Sequence, residues 1–148
     1  MAEFQIVQSP TRTGDRVHSD VPGYAKGLWT PSIGGTAAYT YNVGRYTRIG
    51  NRVFITCDIA VSSLGTGSTT DISGLPFPAT ENSFANQYIL AARVNNAATA
   101  IVYVVGVIDG GTSVIKLFSR TGANIDDAQN AIFGTAAVVI TGSYEVDL

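Results

Sequence analysis

Residues 44–61 read GRYTRIGNRVFITCDIAV. Val53, Ile55, Cys57, Ile59 and Val61 fall on one side of an extended chain, and Arg52, Thr56 and Asp58 on the other, with Phe54 and Ala60 as apolar exceptions. This alternation marks a strand with one buried face. The preceding run, 39–49, is rich in aromatic and β-branched residues, which suit a pleated surface. Gly50-Asn51 separates the two runs, and glycine supplies the positive φ that a tight two-residue turn needs. The stretch predicts a β-hairpin, and with it a chain of antiparallel strands.

Further strands are expected around 38–49, 52–64, 69–73, 84–95, 98–108, 113–119 and 135–146. Asp109-Gly110 is a second hairpin turn, and Pro76 and Pro78 break any regular ladder near 74–78. Ala136, Val138, Ile140, Tyr144 and Val146 share one face of the closing strand. Only 125–133 suggests a helical turn. About eight hairpin-linked strands predict an all-β domain, an antiparallel β-sandwich or jelly roll. It occupies 27–148, and the polar, proline-bearing stretch 1–26 is expected to be a linker or a junction to something upstream.

The chain has 148 residues, enough for one domain. Charged residues make up only 14 %, hydrophobic residues 45 %, and glycine numbers 16, a balance that suits a turn-rich all-β domain. The net charge of −2 supplies no field to attract nucleic acid or anionic lipid. No apolar run approaches the roughly 18 residues of a membrane span, and no secretory leader is visible. So little charge implies that part of the surface is covered by other subunits.

The stretch 98–108 supports that implication. Ile101, Tyr103, Val105 and Val107 take one face, and Val102, Val104 and Ile108 the other. Both faces are apolar, whereas one face of a sandwich strand normally meets water. Val102, Val104 and Ile108 are therefore expected at an interface with further copies of the chain, the alternative being a strand buried under the chain's own loops.

Catalytic and metal chemistry lacks its residues. The one cysteine, Cys57, lies on an apolar strand face and reads as a buried hydrophobe. The one histidine, His18, lies in the irregular N-terminal stretch, so neither a nucleophile–histidine site nor a zinc site is expected. Asp126-Asp127 could hold Ca²⁺ together with backbone carbonyls, but an ordinary polar loop is the favoured reading. No catalytic residue, metal or cofactor is expected. Arg48 or Arg52 is expected to pair with Asp58 across the hairpin.

Three landmarks occur in order: GLWTP at 27–31, GRYTRIGNRV at 44–53 and ISGLPF at 72–77, with TGSY closing at 141–144. Together they resemble the C-terminal domains of tailed-bacteriophage tail fibres and tailspikes, over about 27–146. The resemblance implies a homotrimeric β-sandwich at the tip of a virion fibre that contacts bacterial cell-surface polysaccharide, capsule or lipopolysaccharide, without catalysis. The alternative it leaves open is a purely structural trimerisation cap whose depolymerase activity lies upstream. A hydrolase in this chain is rejected, because no solenoid repeat of 20–30 residues is present.

A sugar needs an aromatic face beside short polar groups. Loops 79–88, 93–97 and 119–130 offer them, and the expected carbohydrate-binding residues are Tyr88, Arg93, Asn95, Asn96, Arg120, Asn124 and Asp126. Tyr88 is the expected stacking platform. Tyr103 is expected in the core or an interface, and Trp29 at one end of the core.

Overall fold

The computed structural model describes residues 23–81, 87–122 and 126–147. Eight strands are found among them: β1 (Tyr24–Trp29), β2 (Ala38–Ile49), β3 (Arg52–Ser63), β4 (Asp71–Ser73), β5 (Gln87–Asn95), β6 (Tyr103–Asp109), β7 (Val114–Arg120) and β8 (Ala137–Glu145). The described residues contain no helix. The stretch read as a helical turn instead makes an isolated bridge between Ser119 and Ala128.

The β2–β3 hairpin turns where the sequence places it. Ile49 pairs with Arg52, leaving Gly50 and Asn51 as the loop. Gly50 has φ +60° and Asn51 does not share the left-handed region, the requirement of a type II′ turn.

The two packed sheets expected from the sequence are one continuous sheet. Its order is β1-β2-β3-β8-β5-β6-β7-β4, every pairing antiparallel. The last strand in sequence, β8, lies between β3 and β5 and joins the two halves by hydrogen bonds. The sheet curls into a half-barrel. Its outer strands meet at one point, where Ser32, just past β1, exchanges backbone hydrogen bonds of 3.1 and 2.7 Å with Ser73 of β4. Curling gives the sheet an inner face that packs on itself and an outer face that does not.

The inner face is the core. Val53, Ile55, Cys57, Ile59 and Val61 of β3 are all buried, as are Ala136, Val138, Ile140, Tyr144 and Val146 in and beside β8. Full burial of each large aliphatic side chain contributes on the order of 1.5–3 kcal/mol. Trp29 is buried over Gly44, its cross-strand partner. A methyl group at position 44 would overlap the indole, so the close approach requires glycine. The indole Nε1 donates to the Arg45 carbonyl at 3.3 Å.

Two boundaries differ from those expected. β1 takes in residues 24–26, read above as linker, because they pair along β2 as far as Tyr24 opposite Ile49. Lys26 and Gly27 hide the apolar alternation of this edge strand. β6 begins only at Tyr103, because residues 98–102 leave the ladder with β5.

Candidate ligand cleft and assembly face

The β5–β6 ladder runs from Gln87 opposite Asp109 to Ala91 opposite Val105 and stops. Beyond it, β5 follows β8 alone, as far as Asn95 opposite Ala137. β6 follows β7, with Tyr103 opposite Arg120. The parting strands leave a cleft of about 680 Å³ lined by residues 89–94 and 101–105. Tyr103 stands in its wall with 47 % of its surface exposed. The Arg120 guanidinium lies over that ring, 5.5 Å from the centroid, within cation–π reach. Arg120 Nε donates to the Asp127 carboxylate at 2.7 Å, and this bond holds the guanidinium above its usual pKa.

Of the expected carbohydrate-binding residues, Arg93, Asn95, Asn96 and Arg120 gather at this end of the sheet, and exposed Asp126 adjoins them in the loop after β7. Arg93 lines the cleft itself. Asn96 shapes the backbone here. It adopts φ +58°, and its Nδ2 donates to the Thr135 carbonyl and hydroxyl at 3.2 and 2.9 Å. Asn124 lies outside the described residues. Tyr88 is a correction. It sits at the opposite end of β5, on the inner side with Leu90, half-buried against the core. Its ring meets Tyr144 edge-on at 6.4 Å, and its hydroxyl donates to the Thr80 carbonyl at 3.4 Å. Burial first, then Glu145, raises its pKa. Tyr88 therefore lies apart from Arg93, Asn95, Asn96 and Arg120. The open ring is that of Tyr103, for which the sequence pattern predicts a place in the core or an interface.

The outer face of the sheet is the second feature. Tyr41, Val43, Phe54, Ile89 and Val139 all point outward and are 43–62 % exposed. Three charges stand among them: Arg45, Asp58 and Arg93, all exposed. None makes an ion pair among the described residues. The partners expected for Asp58 are engaged elsewhere. Arg52 reaches Glu145 at 3.5 Å, and Arg48 donates to the carbonyls of Gly50 and Asp147 and lies over the Phe77 ring.

The residues expected at an interface separate. Ile108 is fully buried in the core of its own chain, which leaves it no surface for a neighbour, and Val104 is partly buried against the same core. Val102 is 74 % exposed at the cleft. The outward side of β6 carries Tyr103, Val105 and Val107 instead. There Val105 and Val107 are buried although they lie outside the core cluster, flanked by β5 and β7.

The landmark residues form one packed region. The first two pair as β1 and β2, and Phe77 of the third meets Tyr46 edge-on at 5.3 Å. The Tyr144 hydroxyl donates to the Phe77 carbonyl at 2.9 Å. Burial pushes the Tyr144 phenol up to about 12, and burial together with adjacent Asp58 pushes the Cys57 thiol up to about 12. On the outer side of β6 and β7, Lys116 donates to Asp109 at 2.7 Å; this bond lowers the carboxyl pKa and raises that of the amine. Among the described residues no three His, Cys, Asp or Glu side chains cluster as metal ligands would. Comparison with protein-family models, curated proteins and solved structures gives no significant match to this chain.

Proposed function

We propose that this chain is the tip domain of a tailed-bacteriophage tail fibre or tailspike, a non-enzymatic module of the virion that assembles as a homotrimer and contacts polysaccharide at the bacterial surface. The observation that carries the reading is the outer face. Five large apolar side chains on one continuous sheet surface remain open to water in the single chain. Large apolar side chains exposed together on one sheet face mark a contact with another molecule. A closed ring of three copies would cover it in each subunit.

The end beside the cleft supports the sugar contact. Tyr103 offers an open ring, Arg120 lies over it with Asp127 and Asp126 beside the guanidinium, and Asn95 at the end of β5 offers a further amide at this end of the sheet. The test is binding of the purified chain to a panel of capsular and lipopolysaccharide glycans, with mass measured by light scattering. The expected result is a mass of three chains and saturable binding to some glycans and not others, weakened about tenfold by Tyr103→Ala. Indifferent or absent glycan binding overturns the adhesion reading and, in a trimer, leaves the structural cap. Release of reducing sugar overturns the non-enzymatic one.

A further inference from the structure

The outer face carries an internal pattern that the apolar residues alone do not explain. Across the sheet, Asp58 on β3 pairs with Val139 on β8, and Val139 pairs with Arg93 on β5. The three residues form one cross-strand row: acid, apolar, base. Both charges are exposed, and neither is paired among the described residues. Any partner that covers Val139 and its apolar neighbours must take Asp58 and Arg93 out of water as well. An unpaired charge under an apolar contact is costly. The partner must therefore present a base opposite Asp58 and an acid opposite Arg93.

We infer that the outer face is covered by a second copy of this chain, with Asp58 of one copy paired to Arg93 of the next. The inference rests on the self-assembly read above and names its surface and its register. In a closed ring one neighbour supplies Arg93 to Asp58 and the other supplies Asp58 to Arg93, because the same row of every copy carries both the base and the acid. Tyr41, Val43 and Val139 are the apolar surface that this pairing brings together. Arg45, the third charge of the face, shares its row with Thr56, Thr141 and Ala91 and finds no acid there. The Asp58–Arg93 pairing leaves Arg45 unpaired, and the long side chain of Arg45 can carry its guanidinium away from the contact into water.

The test is charge reversal, read as mass by light scattering across a concentration series. Asp58→Arg and Arg93→Asp each place like charges in contact, and each is expected to weaken association on the order of a hundredfold. The double variant Asp58→Arg/Arg93→Asp restores the opposite pairing and is expected to recover the assembly. Both positions are exposed, so the variants retain the far-ultraviolet dichroism and cooperative melt of a folded sheet. Single reversals that assemble like the parent overturn this inference and leave the trimer reading standing. Single reversals that dissociate without recovery in the double variant overturn the pairing. A parent chain that stays a monomer at every concentration overturns the assembly reading itself, and the inference with it.

Discussion

In β3 the division between inside and outside is chemical as well as geometric. Its inward residues are Val53, Ile55, Cys57, Ile59 and Val61, and its outward ones include Arg52, Thr56 and Asp58. In β6 the division is geometric alone. Val104 and Ile108 face the core, while Val105 and Val107 face outward and are buried nonetheless, between β5 on one side and β7 on the other. Both strands lie between two neighbours, and the difference is in their side chains: Asp58 and Thr56 of β3 are polar and exposed, whereas Val105 and Val107 of β6 lie between Ile89 and Ala91 on β5 and Lys116 and Phe118 on β7 and are buried within the one chain. Two apolar faces on one strand therefore do not require a second subunit, and it is Tyr41, Val43, Phe54, Ile89 and Val139 that point to assembly.

Truncation should give the largest effects. Ile59→Ala on β3 and Ile108→Ala on β6 both empty fully buried sites and should each lose about 2–5 kcal/mol in urea unfolding. Val102→Lys should change stability by no more than about 0.5 kcal/mol, because the residue is exposed and outside the ladder. A small effect at Ile108 together with a large one at Val102 would reverse the faces of β6. Gly44→Ala, on the well-divided side of the sheet, should cost about 1–3 kcal/mol, since the added methyl group meets the Trp29 indole.

A pH titration sharpens the inner faces of β3 and β8. The Cys57 thiol and Tyr144 phenol both have folded pKa values raised to about 12, from ordinary values of 9.0 and 10.0. The unfolded chain ionises first, so their contribution is complete below pH 9 and is lost as pH rises toward 12. The loss approaches about 1.4 kcal/mol per pH unit for each group in its window. Cys57→Ala should remove the part that begins near pH 9, as read from urea midpoints. A smaller pH effect belongs to the Lys116–Asp109 pair on the outer side of β6 and β7. Its lowered Asp109 pKa gives stability present above the unfolded carboxyl range and lost as pH falls through the folded value. Asp109→Asn should flatten that acid limb by no more than about 1 kcal/mol, because both groups are partly exposed.

The legibility of the sequence follows the same contrast. The β2–β3 hairpin, its glycine turn and the inner face of β8 are visible because polar residues mark the side that meets water. The inner side of β6 is not, because no polar residue marks either side. The inward side of Tyr88 is legible in principle: Tyr88, Leu90, Ala92 and Val94 share one parity, while Gln87, Arg93 and Asn95 share the other. The placement of β8 between β3 and β5, and the parting of β5 from β6 that opens the cleft, come from pairings between distant segments. Local alternation carries no information about such pairings, so neither the single sheet nor the exposure of Tyr103 could be read from it.

Val139 and Ile140 are adjacent in β8 and face opposite ways, one 45 % exposed and the other fully buried. Lysine at each position, followed by far-ultraviolet dichroism and light scattering, asks directly whether the outer face is an assembly surface. Ile140→Lys should abolish the folded sheet, whereas Val139→Lys should keep the sheet and reduce the mass to that of one chain. A Val139→Lys protein that assembles as the parent does would contradict the account.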